Sequence, residues 1–151
     1  MNINFRKAAR DDVPNIIHLL ADDPLGAERE KYIDPLPPQY YAAFDEINAD
    51  KNNYLIVAES NHQIIGTLQL TLIQYLTYKG GKRALIEAVR IDKSIRGEGV
   101  GKAMLEWAIN TAKQAGCHMI QLTTDKKRPD ALEFYKKLGF VASHEGMKLY
   151  L

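Results

Sequence analysis

Val89-Arg-Ile-Asp-Lys-Ser-Ile-Arg-Gly-Glu-Gly-Val-Gly-Lys102 decides more of the fold than any other stretch of this 151-residue chain. It opens on the end of an apolar run, Ala84-Leu-Ile-Glu-Ala-Val-Arg-Ile91, which predicts a strand. It leads into Val100, Met104, Leu105, Ala108, Ile109 and Ala112, spaced as one face of a helix that Gly116 can end. Between the two, Gly97, Gly99 and Gly101 permit positive φ and close backbone approach. A strand, a glycine-rich loop and a helix start present unpaired amide N–H groups and the positive end of a helix dipole, which is a phosphate site; Arg96 and Lys102 add mobile positive charge. A flexible glycine-capped loop would use the same letters. Two better-known phosphate loops do not match, which leaves NTPase and NAD readings as minor alternatives. A Walker loop ending at Gly101-Lys102 needs Gly at 96 and Ser or Thr at 103, where Arg96 and Ala103 stand. A dinucleotide fingerprint from Gly97 needs Gly at 102, and from Gly99 it needs Gly or Ala at 104, where Lys102 and Met104 stand.

Working outward, residues 2–8 alternate as a first strand, and Asp11 or Asp12 offers an N-cap to a helix with Pro14 in its first turn, ending near Ala21. Pro24, Gly26 and Pro35-Leu-Pro-Pro38 predict an irregular loop before a second helix marked by Tyr40, Ala43, Phe44 and Ile47. Residues 54–59 and 63–75 read as a hairpin about Asn61-His62, and Gly80-Gly81 turns the chain into the strand ending at Ile91. Beyond Gly116, residues 117–124 predict a strand, Pro129 starts a last helix closed by Gly139, and residues 140–143 and 147–151 predict two final strands. The order β-α-α-β-β-β-α-β-α-β-β predicts an α/β (α+β) fold, a mostly antiparallel mixed sheet flanked by helices with one β-α-β crossover.

Twenty Lys and Arg against nineteen Asp and Glu leave a net charge of +1, which argues against a nucleic-acid binder or an acidic disordered tail. The balance conceals a gradient: residues 1–75 carry −5 and residues 76–151 carry +6. No repeat, linker or low-complexity tract divides the chain, so a single domain over 1–151 is expected. The start lacks the apolar core of a signal peptide, and the most apolar stretch, residues 64–73, is broken by Gly66, Thr67, Gln69 and Thr71, so a cytoplasmic protein without membrane attachment is expected. Cys117 is alone, which precludes an internal disulfide. None of the four histidines has ligand spacing with another, so no metal site is expected.

Arg96-Gly-Glu-Gly-Val-Gly101 resembles the Arg/Gln-x-x-Gly-x-Gly/Ala loop of the GNAT superfamily of acyl-CoA-dependent N-acyltransferases, and Ala131-Leu-Glu-Phe-Tyr-Lys-Lys-Leu-Gly-Phe140 resembles a second segment of that family. Almost the whole chain follows the family's element order. The resemblance implies a GNAT-like fold and activity as an N-acetyltransferase, moving an acetyl group from acetyl-CoA, the acyl donor, to a primary amine in a ternary complex without an acyl-enzyme or a metal. It implies that Arg96, Gly97, Glu98, Gly99, Val100, Gly101 and Lys102 wrap the pyrophosphate of the coenzyme. Val89, Arg90 and Ile91 would offer backbone groups to the pantetheine arm, and one of these amides would polarise the thioester carbonyl. Tyr135 aligns with the tyrosine that protonates the leaving thiolate in many members; on helical spacing alone it is a core aromatic beside Phe134. Many relatives carry Asn seven residues before that tyrosine; here Arg128 stands there and could reach a coenzyme phosphate.

The acceptor must lose a proton before it attacks, because an amine of lysine-like pKa ~10.4 is charged at neutral pH. Glu87 is the candidate base; a sheet carboxylate paired with a neighbour is the alternative, and a bulge in its strand decides which face it occupies. In this architecture the region between the first two helices commonly borders the acceptor, and its Glu28, Glu30 and Asp34 suit a cationic amine, with Tyr32, Tyr40 and Tyr41 able to line a pocket; a solvated surface with core-packing tyrosines is the alternative. Aminoglycoside, polyamine, small amino compound and protein amine all stay open as acceptors. Relatives are often homodimers, although no interface motif stands out here. A non-catalytic CoA-binding or regulatory module of the same fold is the rival reading, and a phosphate-binding domain unrelated to CoA is a more distant one.

Overall fold

The computed structural model describes residues 1–151. The order is β1 (Asn4–Lys7), α1 (Val13–Ala21), α2 (Pro24–Arg29), α3 (Pro38–Ala49), β2 (Asn53–Ser60), β3 (Gln63–Gln74), the single turn α4 (Thr77–Gly80), β4 (Lys82–Ile91), α5 (Val100–Gln114), β5 (Met119–Leu122) and α6 (Pro129–Lys137). The strands form one mixed sheet in the order β1-β2-β3-β4-β5, antiparallel from β1 through β4. The chain falls into two compact units, Met1–Gln121 and Leu122–Leu151. No helix is long and apolar enough to cross a membrane.

Strand alternation divides the core of the first unit between two faces. Val57 joins Val13, Ile16 and Ile17 of α1 and Phe44 of α3 in one buried cluster. Its neighbours Ile56 and Ala58 therefore point the other way, and so do their partners Leu68 and Gly66. That second face receives α5: a Cβ on Gly66 would sit 3.1 Å from the Met104 Cε, and Phe5, paired with Ala58, lies 6.2 Å from the Trp107 ring. Ile56, Leu68, Leu70, Ile86, Met104 and Leu105 are all at most 1% exposed. They form a dry layer, in which truncating a single Leu to Ala costs about 2–5 kcal/mol.

Three expectations from the sequence are corrected. The irregular loop after Ala21 contains α2, because Asp23 Oδ1 accepts from the Leu25 and Gly26 N–H groups at 2.9 Å each and Pro24 occupies the first turn. Gly26 is required there for packing, since a Cβ would stand 1.9 Å from the Leu20 carbonyl oxygen. The two final strands do not form. Past α6 the backbone hydrogen bonds are local, Phe140 N–H to Tyr135 O and Ser143 N–H to Val141 O, so no ladder gives the alternating pattern a face to bury, and Val141, Met147 and Leu149 stay exposed. Asp12 also departs from simple capping. Its carboxylate accepts from the Ala9 N–H at 2.7 Å and pairs with Arg6, which also meets Glu59. Burial pushes the Asp12 carboxyl up, but the guanidinium and the amide outweigh it and hold the group below the ordinary carboxylate range.

Candidate functional site

The site is assembled at the end of β4. Opposite this strand the register runs Gln69 with Glu87 and then Thr67 with Arg90, so Ala88 and Val89 share the single residue Leu68. This is a β-bulge, and Ala88 has φ 54, in the left-handed region that costs an L-residue roughly 1–2 kcal/mol. The bulge resolves the facing of Glu87. Before it, Ile86 pairs with Leu70 on the α5 face, so Glu87 with Gln69 lies on the face that α1 and α3 cover, where its carboxylate is exposed. After it, Arg90 pairs with Thr67 and returns to that same face, only three residues on.

Ile91 leads into a short turn, Lys93–Ile95, capped by Asp92, whose carboxylate accepts from the Ser94 N–H at 2.8 Å. The Ser94 hydroxyl, then the Ser94 amide, with smaller help from His18 and Lys93, hold this carboxyl below its usual value against the effect of burial. Arg96 follows, exposed, with Nε donating to the Ile91 carbonyl at 3.2 Å, so the loop is tied back to the strand it leaves. Gly97 and Gly99 take φ 88 and 85, and no atom lies within 4 Å of where a Cβ on either would be. Gly99 is the N-cap of α5 and supplies no side chain. Glu98 N–H donates to Ile95 O and Ala103 N–H to Gly99 O, whereas the N–H groups of Gly97, Gly99, Val100, Gly101 and Lys102 have no backbone acceptor in the loop or the preceding turn. A helix start left open in this way, exposed and flanked by Arg96 and Lys102, fits the diphosphate of a coenzyme on its own chemistry. Lys102 lies 3.8 Å from Glu106 one turn on, a long and exposed pair.

The length of β4 matters as much as its end. β5 begins beside Lys82, whose carbonyl accepts from the His118 N–H, and is four residues long against ten in β4. The last residues of β4, Glu87 to Ile91, thus run past the end of β5 and leave a strand edge to which an extended arm could add. Among these carbonyls Val89 O already accepts from Arg90 Nη1 at 2.7 Å.

Structure therefore brings Glu87, Val89, Arg90, Ile91 and residues 96–102 together within the first unit. Tyr135 and Arg128 belong to the second unit. There Arg128 is the N-cap of α6, with its N–H donating to Asp125 O and its carbonyl accepting from Ala131 and Leu132. Tyr135 is half-buried between Phe134 and Phe140, ring centroids 5.4 and 5.9 Å away. Burial pushes the Cys117 thiol up, which makes it a poor nucleophile.

On the acceptor side several candidates are engaged internally. The Tyr40 hydroxyl donates to Glu30 and accepts from the Lys31 N–H, both at 2.9 Å. Tyr41 lies under Arg10, and Tyr32, half-exposed, meets the His18 ring at a tilt with centroids 5.1 Å apart. Sequence reasoning missed the ion pairs Arg90 to Asp23 and Lys93 to Asp22, each at 2.8 Å. The Asp23-Pro24 helix-start signature was the available signal for the α2 end of this contact.

The sequence model of the acetyltransferase (GNAT) family matches residues 16–140. An aminoalkylphosphonate N-acetyltransferase of Salmonella typhimurium is 30% identical over 95 residues, which is 63% of this chain and 61% of that protein. The chain spans about six tenths of the length of the first curated relatives it matches. Among solved structures, a protein described as a transcriptional regulator from Bacillus halodurans C-125 is 53% identical, with a TM-score of 0.97 over 99% of this chain and all of that one. A predicted acetyltransferase from Clostridium acetobutylicum, solved with acetyl-CoA, is 28% identical, with a TM-score of 0.75 over 99% of this chain and 96% of that one.

Proposed function

The chain belongs to the acetyltransferase (GNAT) family, and from that membership we propose that residues 1–151 act as one N-acetyltransferase domain, moving an acetyl group from acetyl-CoA to a small-molecule primary amine by direct attack in a ternary complex. The observation that carries this reading is the open start of α5, where Gly97 and Gly99 hold positive φ and the first-turn amides lack a cap. Support also comes from the acetyl-CoA bound to the Clostridium acetobutylicum relative and from the amine substrate in the name of the Salmonella typhimurium one.

When bound, acetyl-CoA supplies the acetyl group as an activated thioester. In this reading the amides of residues 97–102 and the Arg96 guanidinium hold the diphosphate, and the strand end at Val89, Arg90 and Ile91 aligns the extended arm. Glu87, exposed on the α1 face, takes the proton from the acceptor ammonium, directly or through water, and Tyr135 returns a proton to the departing thiolate. Arg128 reaches a coenzyme phosphate. The acids near α2 then favour an amine with local positive charge.

The test is calorimetry with acetyl-CoA, followed by release of free thiol against 2-aminoethylphosphonate, glucosamine 6-phosphate, an aminoglycoside and spermidine. Binding and turnover of at least one amine are expected. Tyr135→Phe and Glu87→Gln each lower kcat by about 100-fold, the general acid–base range of 10²–10⁴ at its low end. An unchanged kcat removes the role assigned to that residue, and no binding at high micromolar acetyl-CoA removes the reading. A second reading is favoured by the Bacillus halodurans relative described as a transcriptional regulator. A regulatory module of the same fold would bind acetyl-CoA and turn over none of the amines.

A further inference from the structure

Asp22 and Asp23 stand between α1 and α2, the segment that borders the acceptor in the reading above. Asp23 divides its carboxylate. Oδ1 caps α2 through the Leu25 and Gly26 amides, and Oδ2 lies 2.8 Å from Arg90 Nε, with side chains only 4% and 15% exposed. Arg90 faces this way because the bulge at Ala88 turns it onto the α1 side, and its Nη1 grips the Val89 carbonyl at 2.7 Å. Asp22 adds an exposed pair to Lys93 in the turn that follows β4. Gly26 presses against the Leu20 carbonyl too closely to admit a Cβ, so α2 has little room to shift against α1. One buried guanidinium therefore joins the start of α2 to the backbone of the strand assigned to the coenzyme arm.

We propose that Asp23 is a positioning residue: through Arg90 it ties α2 to the Val89–Ile91 edge, so that coenzyme seated along that edge steadies the acceptor-side helix. The proposal rests on the reading that this edge holds acetyl-CoA. A pair with a purely structural role would hold α2 equally with the coenzyme present or absent, whereas a coupled pair transmits the ordering of the strand end.

Hydrogen–deuterium exchange on the full chain, with and without acetyl-CoA, separates the two. Local opening governs exchange of the amides of α2 and its C-cap, where the Ala27 N–H bonds to Asp23 O and the Glu30 N–H to Gly26 O. In the wild type, acetyl-CoA slows exchange in α2 by about fivefold, the low end of ordinary coupling between sites. Asp23→Asn keeps an oxygen to cap α2 and removes the charge from Arg90. It retains acetyl-CoA-dependent slowing at residues 97–102 and loses it in α2. Should that variant not fold, Arg90→Lys keeps the charge but cannot span Asp23 and Val89 O together, and it gives the same selective loss. Unchanged α2 exchange in a wild type that calorimetry shows to bind acetyl-CoA overturns the proposal, and so does a variant that keeps the α2 slowing. A flat wild-type titration overturns the acetyl-CoA reading itself and the coupling with it.

Discussion

The two ends of α5 are built from the same materials and finished in opposite ways. At the C-terminal end Gly116 takes φ 78, the Cys117 N–H bonds to Ala112 O and the Gly116 N–H to Lys113 O, and Lys82 Nζ reaches the Ala115 carbonyl at 3.1 Å. The chain itself closes the helix there. At the N-terminal end Gly99 takes φ 85, contributes no cap and leaves the following amides open. A cavity of about 480 Å³, lined by Tyr78, Lys79, Lys82 and His118 among others, is at the closed end. Under the proposed function the open donors, and not this void, mark the binding end. In that proposal the diphosphate oxygens partner the amides that the chain leaves open.

The contrast breaks most visibly at Gly99. Valine there is β-branched at a left-handed φ, and nothing in the open space around it would compensate. Gly99→Val is expected to weaken acetyl-CoA binding by about 30-fold, the factor that roughly 2 kcal/mol of left-handed strain sets, and calorimetry reads it directly. Affinity within a factor of two of wild type would mean that the open end is not the coenzyme site. Arg96 comes next. Its Nε is held by Ile91 O, so the rest of the guanidinium is aimed by the strand it borders. Arg96→Gln is expected to cost about tenfold in affinity, the low side of a charge-assisted hydrogen bond. The loss shrinks as salt is raised, because the site is exposed. A loss that does not vary with salt would show that Arg96 acts through the loop's shape and not through charge.

What the sequence revealed of this region follows the physics of its signals. The loop, α5 and its glycine stop were legible because glycine, helical spacing and position each report backbone conformation directly. The start of α2 was misread because Pro24 and Gly26 look like breakers, although Asp23 before proline is a helix start and Gly26 is there for close packing. The face of Glu87 was undecided because Ala88 sits at φ 54 without a residue type that announces it. The same bulge hid the Arg90 to Asp23 pair, since simple alternation sends Arg90 to the other side of the sheet. The strands expected past α6 fail for a different reason. Their alternation is present, but local pattern does not supply a partner strand.

The closed end gives the smallest effect and the sharpest control. Lys82→Met keeps an aliphatic stem and removes the ammonium that caps the Ala115 carbonyl. A cation at a helix C-terminus contributes about 0.3–1 kcal/mol, so the variant is expected to lose up to about 1 kcal/mol of stability. For a chain of this size that corresponds to a fall in Tm of about 2–4 °C, read by calorimetric melting. The direction follows from where the charge sits, because the carbonyl Lys82 leaves must find water or go unpaired. Acetyl-CoA affinity should not change, since the whole of α5 separates Lys82 from Gly99. A matching loss of affinity would mean that the two ends of the helix act as one electrostatic unit, and the division between a closed structural end and an open ligand end would have to be given up.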